Sequence, residues 1–204
     1  MQDIYHSIFH FGRILGSLFY YAPQEEQNQW LITFFQQENW QTDVGFLAPQ
    51  SIERIQTAFM RSTTDVEQLA AQYQQLFIGP NKLPAPPWGS PYLDKDTATV
   101  GSSLLGMRDF LLKNRIELSL PRNQPEDHFG LMLMLLAFLA ENQPHLLAEY
   151  LTQHLLPWSH RFLTLLAEQQ ISDFYAGLAL LADALLNHWQ QAMGLQVKVM
   201  PLYR

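Results

Sequence analysis

Five clusters in this chain carry side chains able to do chemistry, and two of them suggest catalysis or metal binding. Asp94-Lys95-Asp96-Thr97 comes close to the D-x-D-x-T form, with its threonine one position early; in that form a first aspartate can attack phosphorus and a second can move the proton. That chemistry needs the first aspartate at the end of a buried strand, beside backbone amides and a magnesium ion. Here it follows Pro-Trp-Gly-Ser-Pro-Tyr-Leu, with no alternating strand and helix pattern around it. A phosphohydrolase using Asp94 and Asp96 is therefore a minor alternative, as is a helical interaction scaffold, and a turn or helix-entry role is preferred for the two aspartates. His6 and His10 stand four residues apart on an expected helix, a spacing that can set two imidazoles on one ion, but no H-E-x-x-H supports them and no metal site is expected. The absence of cysteine excludes disulfides, thiolate catalysis and cysteine-ligated metals. No phosphate loop, dinucleotide fingerprint, nucleophile elbow or kinase signature occurs, so neither enzyme activity nor a cofactor is expected.

The other clusters suggest binding. Pro125-Glu126-Asp127-His128 precedes the most apolar stretch, Phe129-Gly-Leu-Met-Leu-Met-Leu-Leu-Ala-Phe138. Carboxylates in a first helical turn offset the helix dipole, by about 0.3–1 kcal/mol each. An acidic edge beside an apolar surface would also receive a cationic, apolar ligand. Residues 76–92 can form neither helix nor central strand, yet carry Leu76, Phe77, Trp88 and Tyr92. Pro80, Pro84, Pro86, Pro87 and Pro91 stiffen this path, and Gly79 and Gly89 permit tight turns. It reads either as a rigid connector whose aromatics cover the core or as a binding surface with little entropy to lose. In His154-Leu-Leu-Pro-Trp-Ser-His-Arg-Phe162, Trp158 marks a helix start, and core packing is expected for Trp158 and Phe162.

The elements that must position these groups are nearly all helical. Apolar residues recur at three and four spacing with no long alternation of period two. The pattern predicts one all-α domain over residues 1–204, a bundle of about nine helices at roughly 4–21, 25–37, 50–61, 65–77, 102–115, 126–141, 145–155, 158–169 and 173–191. Thr64-Asp-Val-Glu67 and Ser172-Asp173 are polar helix starts, Pro125 suits a first turn, and Pro144 and Pro157 are breaks. Residues 78–101 form the one long connector, and 194–204 a short extended tail.

With 48% hydrophobic and 15% charged residues the chain can bury a sizeable core. A net charge of −7 with only 12 Lys and Arg argues against nucleic acid and favours basic peptides. The N-terminus lacks a basic region before a continuous apolar run, and the run 131–140 is about half a bilayer span. A chain that is neither exported nor membrane-spanning, a monomer in the cytoplasm, is expected.

Taken in order, Tyr73-x-x-Leu76-Phe77-x-Gly79-Pro80, Pro84-x-Pro86-Pro87-Trp88-Gly-Ser90-x-Tyr92, Gln124-Pro-Glu126-Asp127-His128 and His154-Leu-x-Pro157-Trp158-x-x-x-Phe162 resemble the TorD/DmsD family across essentially the whole chain. The length and the ending Lys198-Val-Met-Pro201-Leu-Tyr-Arg204 look most like the branch that serves dimethyl sulfoxide reductase. One departure is Tyr73, where the family favours Trp. The resemblance implies an all-helical cytoplasmic chaperone that holds the twin-arginine leader of a molybdenum-cofactor oxidoreductase until the enzyme is mature, with components of the Tat translocase as further partners. It implies Tyr73, Leu76, Phe77, Pro87, Trp88, Asp127 and His128 as leader-binding residues, and charge adds Glu126.

Overall fold

The computed structural model describes residues 2–95, 101–120 and 124–204. Its centre is the helix the sequence makes apolar on every side. Helix α7 (Phe129–Asn142) buries ten of its 14 residues, so it is surrounded by protein. Helix α1 (Gln2–Tyr20) lies along it, turning Ile8, Phe11, Leu15, Leu18 and Phe19 inward as one stripe. The two backbones touch at glycines. A Cβ on Gly16 would stand 2.8 Å from the Gly130 carbonyl oxygen, and one on Gly130 2.8 Å from that of Gly16. Helix α2 (Glu26–Gln36) folds back onto α1, where buried Asn28 receives a hydrogen bond from Ser17 at 2.7 Å and donates to the Tyr21 carbonyl at 2.8 Å.

A second layer is built on α10 (Asp173–Ala192), which packs against α3 (Pro49–Arg61) and α9 (Leu156–Ala167). The polar starts hold caps, the first one residue later than the Thr64–Glu67 capping-box spacing implies: Asp65 accepts from the Glu67 and Gln68 amides at the head of α4 (Val66–Tyr73), and Ser172 accepts from Tyr175. The all-helical expectation holds. Among the described residues the sheet content is one isolated bridge, and no helix is long and apolar enough to cross a membrane.

Several boundaries differ from expectation. Ten α-helices are present among the described residues, two of them with four residues. The connector 78–101 contains one, α5 (Ser90–Leu93), and leads into α6 (Ser102–Lys113). A 3₁₀ turn at Glu38–Val44, unmarked by any period, buries Trp40 and Val44. Pro157 is no break: α8 (Leu147–Tyr150) continues through a π turn, Leu151–Leu155, into α9. The wider turn makes room for the proline ring, and the Trp158 indole Nε1 donates to the His154 carbonyl at 2.9 Å. Finally, α7 starts at Phe129 rather than 126, so Glu126 and Asp127 lie outside its first turn and are not its dipole partners.

Candidate functional site

The stiff connector and the head of α7 meet at one junction. A π turn, Gln74–Ile78, carries the chain out of α4, and Gly79 at φ 104° turns it into the proline segment. Gly89, by contrast, has an ordinary φ of −69°. Its bare Cα is needed for packing, because a Cβ would lie 3.0 Å from the Trp158 indole nitrogen. Between these glycines the Pro87 carbonyl accepts the Phe129 N–H at 2.7 Å, and Trp88 pairs with His128 in an antiparallel bridge.

Two adjacent residues then cap two different helices. Asp127 Oδ2 accepts the Ser90 N–H at 3.0 Å and its hydroxyl at 3.1 Å, fixing the head of α5. His128 Nδ1 accepts the Gly130 N–H at 3.1 Å, fixing the head of α7. An Nδ1 that accepts leaves the ring proton on Nε2. Burial lowers the His128 pKa to about 3, so the imidazole is neutral near pH 7. Burial also raises the Asp127 carboxyl, against the lowering pull of the Ser90 donors and, behind them, of the Asp127 and Gly89 amides. Two polar atoms at this junction are buried without a hydrogen-bond partner: Trp88 Nε1 and Asp127 Oδ1.

Of the eight residues named from the sequence, Pro87, Trp88, Asp127 and His128 are together here. Tyr73 joins them through Tyr20: its hydroxyl donates to the Tyr20 carbonyl at 2.7 Å, and the Tyr20 ring meets His128 edge-on at 5.2 Å. Leu76 and Phe77 lie deeper, in the core, with Phe77 against Phe19 and Tyr175. Glu126 points outward to Arg108, whose Nε lies 3.0 Å from both carboxylate oxygens and whose Nη2 lies 2.9 Å from Oε2. Trp88 and Glu126 are the two of the eight that are not buried.

Sequence reasoning missed Tyr20, Ser90 and Arg108. Ser90-Pro91 did carry a signal, a polar residue followed by a first-turn proline. Tyr20 and Arg108 carried none, since their partners are distant in the chain. Tyr20 also lines an apolar groove of about 500 Å³ with Leu131, Met134, Leu135, Phe138 and Leu118. Trp158 and Phe162 are in the core as expected, with Tyr92 stacked on Trp158 at 5.5 Å and its hydroxyl donating to the Pro86 carbonyl at 3.0 Å.

Of the residues behind the catalytic and metal alternatives, Asp94, His6 and His10 are described. Asp94 accepts from the Ser102 N–H at 2.9 Å and from the Ser102 and Ser103 hydroxyls at 2.7 and 2.6 Å, the helix-entry role. Burial alone would raise its carboxyl, but the hydrogen bonds from Ser103 and Ser102 outweigh it and hold the pKa low. Asp96 and Thr97 lie outside the described residues. The His6 and His10 rings stand edge-on at 6.3 Å, and no group of three or more His, Asp or Glu among the described residues could hold a metal.

Known proteins share this sequence and fold. The family model described as nitrate reductase delta subunit matches residues 38–164. A Haemophilus influenzae protein named probable Tat proofreading chaperone DmsD is 43% identical over all of both chains. The Salmonella paratyphi A Tat proofreading chaperone DmsD is 40% identical over 95% of this chain and 94% of its own. An Archaeoglobus fulgidus crystal structure, described as a redox enzyme maturation protein, superposes with a TM-score of 0.55 at 21% identity, over 95% of this chain and 94% of that one. With these relatives named as chaperones rather than catalysts, and the four ordered motifs meeting in one helical domain, the chain belongs to the TorD/DmsD family of redox enzyme maturation chaperones.

Proposed function

We propose that this chaperone acts in the cytoplasm as a monomer, binding the twin-arginine leader of a molybdoenzyme at the Trp88–His128 junction and withholding it from the Tat translocase until maturation is complete. The client class is the catalytic subunit of a dimethyl sulfoxide reductase, the branch that the chain's length and its ending Lys198–Arg204 resemble. The observation that carries the reading is the pair of orphaned atoms. A buried unpaired polar group costs about 1–3 kcal/mol, and Trp88 Nε1 and Asp127 Oδ1 are a donor and an acceptor without partners, on residues that meet at this junction.

A leader supplies matching chemistry: guanidinium groups and backbone amides, followed by an apolar run. Trp88 and Asp127 are the contact residues in this reading. Tyr73, Leu76, Phe77, Pro87 and His128 hold the wall behind them, and Glu126 is a carboxylate that becomes available when Arg108 lets go. The apolar run has the groove beside Tyr20 within reach. A disordered leader loses about 2–5 kcal/mol in ordering, which keeps affinity moderate and permits release.

Calorimetric titration with a twin-arginine leader tests this. It should bind measurably better than a scrambled peptide of equal charge and hydrophobicity, and equal binding by the two would end the proposal.

A further inference from the structure

Residues 195–204 form no helix or strand, and most stand in solvent, Val199 at 94% exposure. Among the described residues, 196–202 take no hydrogen-bond partner. The end of this stretch is nevertheless pinned, and it is pinned on the proline segment. Tyr203 N–H donates to the Tyr92 carbonyl at 2.9 Å. Arg204 Nη2 donates to the Leu83 carbonyl at 2.6 Å and the Pro84 carbonyl at 3.2 Å, and its own carbonyl accepts from Arg161 Nε at 3.0 Å. An exposed span with a seated end is a strap, held by few contacts and able to lift without disturbing the core.

What seats it is chemically selective. Leu83-Pro-Ala-Pro-Pro87 has prolines at three of five positions, so the segment is rich in backbone acceptors and poor in donors. A guanidinium, with five donors and no acceptor, is the side chain that fits such a surface. Its partners here are neutral carbonyls rather than a carboxylate, which makes the bond easier to exchange than a buried ion pair. The site lies four residues from Trp88 on the same stiff path, at most about 14 Å along the chain.

We propose that the Leu83 and Pro84 carbonyls form a guanidinium-binding site for an arginine of an extended peptide, and that Arg204 fills it in the free chain as a tethered competitor. The proposal rests on the leader reading above and adds a regulatory element to it. Arrival of a leader arginine lifts the strap, and departure of the client lets it reseat. If the strap is seated about nine-tenths of the time, it weakens apparent leader affinity about 10-fold.

The test compares the full chain with Arg204→Gln, with Tyr203→Pro and with a chain ending at Lys198. Each is titrated with a synthetic peptide carrying adjacent arginines before an apolar run, and with the same peptide carrying glutamines instead. All three altered chains should bind the arginine peptide about 3- to 10-fold more tightly, with no gain for the glutamine peptide. A free peptide of residues 195–204 should reverse the gain. Tyr203→Pro removes the N–H that donates to the Tyr92 carbonyl and reports on the strap even if loss of Arg204 disturbs folding. Unchanged or weaker binding, at an unchanged melting temperature, would overturn the strap while leaving the leader reading intact. An equal gain for both peptides would overturn the guanidinium site. Failure of every chain to bind the arginine peptide would remove the leader reading and the strap together.

Discussion

Helix α7 meets the rest of the protein in two contrasting ways. From its first turn onward it lies against α1 at glycines, Gly130 against Gly16 and then Leu133 and Ala137 against Gly12, a contact made of apolar surface and close backbone approach. On the other side of its head, two capping residues face the proline segment, His128 taking the Gly130 N–H itself, and two buried polar atoms stay unpaired. The first contact is what stability alone would select. The second carries a cost of about 1–3 kcal/mol per orphaned group. Cost of that kind persists where a surface has something to bind. One helix therefore serves as the foundation of the fold along its length and as part of the candidate site at its end.

The contrast is broken most directly from the apolar side. Helix propensity alone would have Gly130→Ala gain about 1 kcal/mol. Its new Cβ, however, would stand 2.8 Å from the Gly16 carbonyl and 2.9 Å from the Tyr20 amide, and backbone cannot move aside cheaply. Overpacking should win, with a net loss of about 2–3 kcal/mol in urea unfolding. A stabilised variant would mean that the α1–α7 approach is looser than its geometry.

Titration addresses the other end. His128 is neutral when folded, with a pKa near 3, and ordinary when unfolded, near 6.5. Between those values the unfolded chain binds the extra proton, so the His128 contribution is complete above about pH 6.5 and is lost as pH falls, at up to about 1.4 kcal/mol per unit. Asp127 has the opposite sign. Its raised folded pKa favours the native state below the ordinary carboxyl value and loses that favour as pH rises through it. His154 is also lowered by burial and adds to the same acid loss. His128→Asn keeps a capping acceptor and removes one titration. From pH 6.5 to 5 the wild type should lose about 2 kcal/mol more than this variant, and parallel curves would show that His128 is already open to protons.

Trp88 sharpens the comparison because binding and stability should move apart. Trp88→Ala should weaken leader binding by about 2 kcal/mol, as loss of an aromatic anchor does, and a loss below about 0.5 would take Trp88 out of the contact. Trp88→Phe keeps a ring against His128 and deletes the orphaned N–H together with one ring of the indole. Stability should hold or rise by up to about 1 kcal/mol while leader binding falls by a similar amount. If both fall together, the indole nitrogen is structural.

These two regions were unequally legible in the sequence. The apolar face of α1 and the all-round apolarity of α7 follow from periodicity, and caps such as Asp65 and Ser172 are local, so the fold could be read with small boundary errors. The π turn at Leu151–Leu155 could not, because its cause is the accommodation of Pro157 against a carbonyl several residues back. At the site, Trp88, Asp127 and His128 stood out by type. Their orientation did not: Asp127 reads as an exposed acid until Ser90, 37 residues away in sequence, is placed beside it. Leu76 and Phe77 have the same composition whether they line a groove or fill the core, and here they fill the core.

The smallest expected effect separates two uses of Glu126. Its pair with Arg108 is solvent-exposed, with side-chain exposures of 22% and 44%, so Glu126→Gln should change stability by less than about 1 kcal/mol. Leader binding is the more telling readout. If Glu126 exchanges Arg108 for a leader arginine, Glu126→Gln weakens binding at low salt and the difference disappears near 1 M, where screening acts within about 3 Å. Arg108→Gln then has the opposite effect, because it frees the carboxylate in advance and should tighten binding at low salt. An Arg108→Gln chain that binds the leader no better than wild type at any salt concentration would leave Glu126 as a surface partner of Arg108. The polar end of the junction would then rest on Trp88 and Asp127 alone.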